Sequence, residues 1–323
     1  MLRAGDIGER GVIERLRRIF DSGSMAGDDA AVLPPLSTPV ITVDSFFQGT
    51  HFHPWWAPPD VLGRRLLNAA VSDIAAMGAE PACVFAALMM PPDTGLDWLE
   101  AFYSGLSSDG IPVAGGETVA GDRIGVTLTA VGEGGDPETL LRRSALKSGD
   151  VLWTGGKLGR SLGAPKKLKS IGGLRGADLV PAGGSLNGEE LKMLRAFLQP
   201  RAQVRLGREL RRLGVRCAID ISDGLFSEAQ HLSRESGVGV VLELNGDNFF
   251  SAAAERPMEA AAAGEDFVLL AGAAAGLDLE PLGCIRVGRA EAGFHGISVY
   301  YRGERMKVEK TGYDHMEVSD GQE

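Results

Sequence analysis

DVLGRRLLNAAVSDIAAMGAEP, residues 60–81, is the stretch on which the reading of the fold turns. Asp60 can cap a helix and Gly78 can stop one, so the residues between them read as helical. Arg64, Arg65, Asn68 and Ser72 share one polar face. Asp73 does not join them; it lies among Leu62, Leu66, Ala69 and Met77 at helical spacing. An ionised carboxylate on an apolar face is costly unless it is paired or bound to a metal, and Asp is a poor mid-helix residue. A buried Asp–Arg pair, a hydrogen-bonded neutral acid or a metal ligand would each account for it.

Outward from this helix, short β-type runs alternate with helical ones. Arg10 to Phe20 reads as an opening amphipathic helix, and PVITVDS at 39–45 as a strand ending in an acid. Residues 84–90, and 124–132 with their period-two alternation, read as strands. Gly134, Gly135 and Pro137 then break the pattern, which places a domain boundary there, giving domains 1–136 and 137–323. In the second, strands are expected at 150–154, 215–220, 238–244, 267–271 and 284–288, with a hairpin at 298–301 and 305–308. Residues 189–213 and 225–234 read as helices, and the Gly- and Lys-rich 155–188 as a long loop with some helix. The class is α/β (α+β) in two domains.

The bulk numbers narrow the function. A chain of 323 residues, 44% hydrophobic and 24% charged, is an ordinary globular composition. The net charge of -10 argues against a nucleic-acid partner. Cys83, Cys217 and Cys284 are isolated, without disulfide or zinc spacing, which points to a reducing compartment. No apolar run reaches spanning length, and the N-terminus has no apolar signal core, so no membrane partner and a cytoplasmic location are expected.

Familiar nucleotide motifs are missing. Thr154-Gly-Gly-Lys-Leu-Gly-Arg-Ser has the wrong spacing for a Walker loop, and reads either as a phosphate cradle or as a turn after a strand. Glu265-Asp266-Phe267 runs into Val268 rather than the glycine of a protein kinase. Acids instead recur beside glycine or at strand ends: Asp28, Asp29, Asp44, Asp73, Glu117, Asp220 and Asp223. Each alone suits a turn or a helix cap. Together, without matching histidines or cysteines, they suit a hard cation with oxygen ligands. Magnesium ions on such acids can neutralise a triphosphate without a P-loop.

In these motifs the chain resembles the thiamine-monophosphate kinase family, of the superfamily that includes aminoimidazole ribonucleotide synthetase. The blocks are GDDAA at 27–31, VDSFFQGTHF at 43–52, VSDIAAMGAEP at 71–81 and GGET at 115–118. They continue with RRSALKSGD at 142–150, AIDISDGL at 218–225, AGEDF at 263–267 and GYDH at 312–315. The resemblance implies an aminoimidazole ribonucleotide synthetase-like fold, whose N-terminal sheet forms a barrel across a homodimer while the C-terminal domain covers the site. It implies ATP as co-substrate, thiamine monophosphate as acceptor and several magnesium ions. Asp29, Thr42, Asp44, Asp73, Glu117, Asp220 and Asp223 would serve the metals. Gly116, Arg143 and Ser222 would touch the nucleotide, and His51, Glu265 and Tyr313 the acceptor. Asp73, Arg143 and Asp220 would carry catalysis.

Three departures from the family pattern stand out. Glu117 replaces an Asp, Val43 replaces a hydroxyl residue, and the segment 104–112 is shortened, with no match to a nucleotide-contacting tyrosine. The expected reaction is in-line transfer of the γ-phosphoryl group to the acceptor's phosphate. The rivals are another ATP-using enzyme of the superfamily and a degenerate, non-catalytic nucleotide-binding protein.

Overall fold

The computed structural model describes residues 2–19 and 28–313. Its first helix, α1 (Ala4–Arg17), begins earlier than the sequence pattern suggests, because Gly8 bends it at a φ of 66° instead of ending it. Phe20, expected within this helix, lies outside the described residues. Next come β1 (Pro39–Phe47), α2 (Pro59–Ala76), β2 (Glu80–Met90), α3 (Leu96–Leu106), β3 (Val113–Ala120) and β4 (Gly125–Glu133). The strands form a sheet in the order β1-β4-β2-β3. Strand β4 runs antiparallel to β1 and β2, and β3 runs parallel to β2. This sheet is open.

Alternation along β1 decides its two faces. Thr42, Asp44 and Phe46 are half-buried or buried, whereas Ile41 and Val43 are 62% and 60% exposed. Helix α2 crosses the sheet closely enough that a Cβ on Gly132 would sit 2.7 Å from Ile74. Helices α2 and α3 meet through glycines. A Cβ on Gly63 would fall 2.0 Å from the Phe102 carbonyl oxygen, and one on Gly105 2.0 Å from that of Asp60. Glu133 closes the far end by accepting the Ser37, Thr38 and Gly135 N–H groups and the Ser37 hydroxyl. These bonds, the one from Gly135 foremost, hold its carboxyl down to about 2.

The chain packs into two compact units, Met1–Leu140 with Gly163–Gly214, and Leu141–Leu162 with Val215–Glu323. Residues 163–214 thus pack with the first unit, a departure from the uninterrupted domain over 137–323 expected above. They contain α4 (Ala164–Ile171), a small hairpin of β6 (Leu174–Arg175) and β7 (Val180–Pro181), α5 (Gly188–Leu198) and α6 (Val204–Arg212). The single helix expected over 189–213 is two, because Pro200 has no N–H with which to continue the ladder.

The excursion also corrects the reading of the α2 faces. Arg65, Asn68 and Ser72 are buried, while Asp73 is half-buried. The Arg65 guanidinium lies 4.1 Å over the Phe197 ring and donates to the Phe197 carbonyl. Asn68 Oδ1 accepts the Ala202 N–H at 2.8 Å, and a Cβ on Gly207 would fall 2.0 Å from the Ala75 oxygen. Arg65 and Asn68 of the polar stripe therefore face a second protein layer, not water, while Arg64 pairs with Asp109 at 2.6 Å.

The second unit is built on β5 (Val151–Thr154), β8 (Cys217–Asp220), α7 (Leu225–Ser236), β9 (Gly239–Leu244), α8 (Pro257–Ala262), β10 (Leu269–Ala273), β11 (Ile285–Glu291), β12 (Ile297–Tyr301) and β13 (Glu304–Met306). The sheet order is β13-β12-β9-β11-β5-β10-β8. Among the described residues of this sheet only β9 and β12 pair in parallel. The expected hairpin is β12–β13, turning at Arg302 and Gly303 with φ of 51° and 84°, the geometry that two-residue hairpin loops favour.

Candidate functional site

In the first unit, the strand–helix pair β1 and α2 brings three of the expected metal residues together. Thr42 and Asp44 lie two residues apart on the helix-facing side of β1. The Thr42 hydroxyl donates to Asp73 Oδ2 at 2.5 Å. Burial, with the Asp73 charge adding to it, raises the Asp44 carboxyl to about 7. Two acids thus share a partly desolvated site, and their mutual repulsion is what a cation would relieve. All three donors are oxygens, and magnesium takes one or two carboxylates and completes its shell with water and substrate phosphate. Among the described residues no group of three or more His, Cys, Asp or Glu lies close enough to hold a metal by itself. The Asp44–Asp73 pair with its hydroxyl fits an ion whose remaining ligands come from phosphate.

A cavity of about 490 Å³ opens elsewhere in this unit. Ile13, Leu16, Phe85 and Tyr103 give it apolar walls, and Asp28, Asp29 and Glu117 give it an acidic side. Asp29 and Glu117 are exposed, and Glu117 Oε1 accepts the Thr118 N–H at 2.8 Å. Gly115 and Gly116 also line it. Gly116 has a packing reason as well, since a Cβ there would fall 1.9 Å from the Ala86 carbonyl oxygen. Tyr103 stands just before the shortened segment 104–112, and no motif in the sequence marks it. His51 follows β1; its Nδ1 accepts the Phe47 N–H at 3.0 Å, and its ring stands edge-on to Phe46. The neutral tautomer that satisfies this bond carries its proton on Nε2.

In the second unit, five expected residues gather where β8 ends. Asp220 is buried at the end of the strand. Beyond it the chain is held by backbone bonds: Ile221 N–H to Val268 O at 2.8 Å, Glu265 N–H to Ser222 O at 2.6 Å and Tyr313 N–H to Asp223 O at 3.0 Å. Glu265 and Tyr313 are thereby joined to Ser222 and Asp223. Tyr313 is half exposed and lines a cavity of about 590 Å³ with Phe226, Met258, Gly264, Lys307 and Lys310. Asp314 and His315, which complete GYDH, lie outside the described residues. Arg143 is exposed, and its carbonyl accepts the Ser236 hydroxyl of α7 at 2.9 Å.

Two buried acids in this unit have no role in the sequence reading. Asp266 accepts the Gly159 N–H at 2.9 Å and the Arg160 N–H at 3.0 Å. Those amides belong to the glycine run after β5, so the carboxylate occupies the place a phosphate would need, and the turn reading holds there. Burial raises Asp266 to about 6, with Arg160 pulling the other way. Glu228, in the first turn of α7, accepts the Asp223 N–H at 3.2 Å. Burial raises it to about 7. An acid in the first turn after Asp223-Gly224 is a capping signal that the sequence does carry.

The family described as AIR synthase related protein, N-terminal domain, matches residues 27–134, so the first unit carries a domain of that class. The thiamine-monophosphate kinase of Caulobacter vibrioides is 31% identical over 319 residues, covering 89% of this chain and 84% of its own. The chain belongs to the thiamine-monophosphate kinase family. The solved structure of AaThiL complexed with AMPPCP and TMP superposes with a TM-score of 0.74 at 27% identity, over 98% of this chain and 99% of that one. That of the thiamine-monophosphate kinase from Stenotrophomonas maltophilia gives 0.75 at 30% identity, over 93% and 98%.

Proposed function

We propose that this chain phosphorylates thiamine monophosphate with ATP, giving thiamine diphosphate and ADP. The observation that carries the reading is the Thr42–Asp44–Asp73 oxygen cluster in a member of this family, because such a cluster would serve a magnesium–phosphate complex without a P-loop. AaThiL, a structural relative over nearly the whole chain, binds AMPPCP and TMP.

The proposed step joins an oxygen of the acceptor's phosphate to the γ-phosphorus of ATP as the β–γ bridge breaks in line and ADP departs. The acceptor phosphate is already ionised at neutral pH, so no strong general base is needed. Magnesium, when bound, neutralises the phosphate charge and orients the triphosphate. Asp29, Thr42, Asp44, Asp73, Glu117, Asp220 and Asp223 are assigned to hold several such ions. Gly116 and Ser222 are assigned to the nucleotide, and the Arg143 guanidinium to the transferring group, where its fork suits phosphate oxygens. His51 is assigned to donate to the acceptor phosphate from Nε2. Glu265 would complement the cationic thiazolium or the aminopyrimidine, and Tyr313 would stack on a ring.

The reading includes a division of labour and an assembly. The first unit is assigned ATP–Mg binding and dimerisation, and the second unit is assigned to contribute Glu265 and Tyr313 to the acceptor. Ile41, Val43, Phe47, Met89 and Val119 are exposed apolar residues on three strands of the open sheet. Their burial against the same face of a second copy, closing a barrel, is the homodimer proposed. The three described cysteines are buried free thiols, which favours a cytoplasmic setting. No helix among the described residues is long and apolar enough to cross a membrane.

Coupled ADP release with thiamine monophosphate and with free thiamine tests the assignment. Turnover with the monophosphate alone is the expected result. Preference for free thiamine, or for neither, would sink it.

A further inference from the structure

Helix α7 carries a buried acid that the proposed chemistry leaves unused. Glu228 is 3% exposed, in a segment where Gly224 precedes the helix at a φ of 117°. Its Oε1 accepts the Asp223 N–H at 3.2 Å, and its carboxyl also hydrogen-bonds the Ser222 side chain. Arg143 acts on the same carboxyl through its charge. Glu228 is therefore the common neighbour of three residues from two separate motifs, RRSALKSGD and AIDISDGL. Backbone bonds fix the carbonyls of the Ile221–Asp223 turn and its Ile221 amide. The Ser222 hydroxyl and the Asp223 N–H are held by Glu228. The same helix pins the Arg143 carbonyl through Ser236, whose hydroxyl oxygen in turn accepts the Leu146 N–H at 3.1 Å. A buried carboxyl held by such bonds has one orientation, and so do the groups bonded to it.

We propose that Glu228 is a positioning residue for magnesium-bound ATP: its carboxyl sets the orientation of Ser222 and Asp223. It touches neither substrate itself. The proposal rests on the nucleotide and metal roles assigned to Ser222 and Asp223 under the proposed function. It predicts that losing Glu228 weakens the grip on ATP and leaves the acceptor's affinity alone.

The test uses the full chain and two variants. Glu228→Gln keeps the size and one acceptor oxygen but loses the charge; Glu228→Ala loses both. In steady-state kinetics, Glu228→Ala should raise the KM for ATP about tenfold, the scale of losses when a residue supporting a ligand-binding group is removed. Glu228→Gln should restore part of that loss. The KM for thiamine monophosphate should stay within about twofold in both. Titration calorimetry with AMPPCP and magnesium should show the same order of affinities without turnover. If Glu228→Ala does not fold, Glu228→Gln decides the matter by both measurements. Equal shifts for ATP and the acceptor, or no shift for either, would overturn the proposal. A wild-type chain that binds AMPPCP with magnesium but never phosphorylates the acceptor would overturn the functional reading instead. The calorimetric order of the variants would still judge Glu228.

Discussion

At the scale of single residues, Asp73 is the most informative. The sequence isolates it as the one acid on an apolar helical face, and that logic leads to a metal. The structure changes the reason. Asp73 is half-buried at the β1 side of α2 and bonded to the Thr42 hydroxyl, and burial raises the carboxyl of its neighbour Asp44. Of the polar neighbours expected on a separate face, Arg65, Asn68 and Ser72 are the more deeply buried. The identity of this candidate site residue is legible, because helical periodicity separates it from Arg64, Asn68 and Ser72. Its environment is not, because α5 and α6, which cover that polar stripe, lie far along the chain. Asp73→Asn keeps the volume and removes the charge an ion would need. Turnover should fall about a hundredfold or more, the usual cost of losing one charge-stabilising contact, while the melting temperature stays near wild type. A magnesium titration of activity beside thermal unfolding checks this; near-normal turnover would make Asp73 a structural acid.

At the scale of elements, glycines set how close the layers come. Gly63 on α2 and Gly105 on α3 let the two helices meet backbone to backbone, with no room for a methyl group on either. Gly63→Ala should therefore cost about 1–3 kcal/mol, the usual range for overpacking, although alanine is the better helix former. Denaturant unfolding measures it, and a variant as stable as wild type would show that the crossing can relax. Elements are legible from the sequence where one period dominates, as in β1, α2 and the β12–β13 hairpin. Helix α3 escapes that reading in DWLEAFYSGL, and so does β3, where Gly115 and Gly116 disguise an edge strand. Periodicity also runs α5 into α6 across Pro200. Glu228 is within reach of a capping argument, but Asp266 is not, because the Gly159 and Arg160 amides it accepts are brought to it only by the fold.

At the scale of the whole molecule, the exposed apolar face of the first unit's open sheet is where the proposed dimer would form. Val43 is central to this, since it faces away from α2 while Thr42 and Asp44 face towards it. The loss of a hydroxyl there, a departure when only the metal site is considered, suits an apolar interface. The native chain should sediment as a dimer, and Val43→Asp should sediment as a monomer, since a carboxylate in an apolar interface is strongly disfavoured. Sedimentation velocity on both proteins decides, and a monomeric wild type would refute the dimer. The sequence can place a boundary near residue 136, where glycine and proline interrupt the pattern. It cannot show the chain returning to the first unit over 163–214, because that return is made by tertiary packing on Arg65, Asn68 and Ala75.

That return imposes an order on biosynthesis. Strand β5, wholly buried in the finished sheet, leaves the ribosome before α4 to α6 have completed the first unit at Gly214. Its sheet neighbours, β10 and β11, are not translated until residues 269–291. At ordinary elongation rates the apolar Val151-Leu-Trp-Thr154 run therefore waits on the order of ten seconds for partners, while the unit on either side of it in sequence closes around its own core.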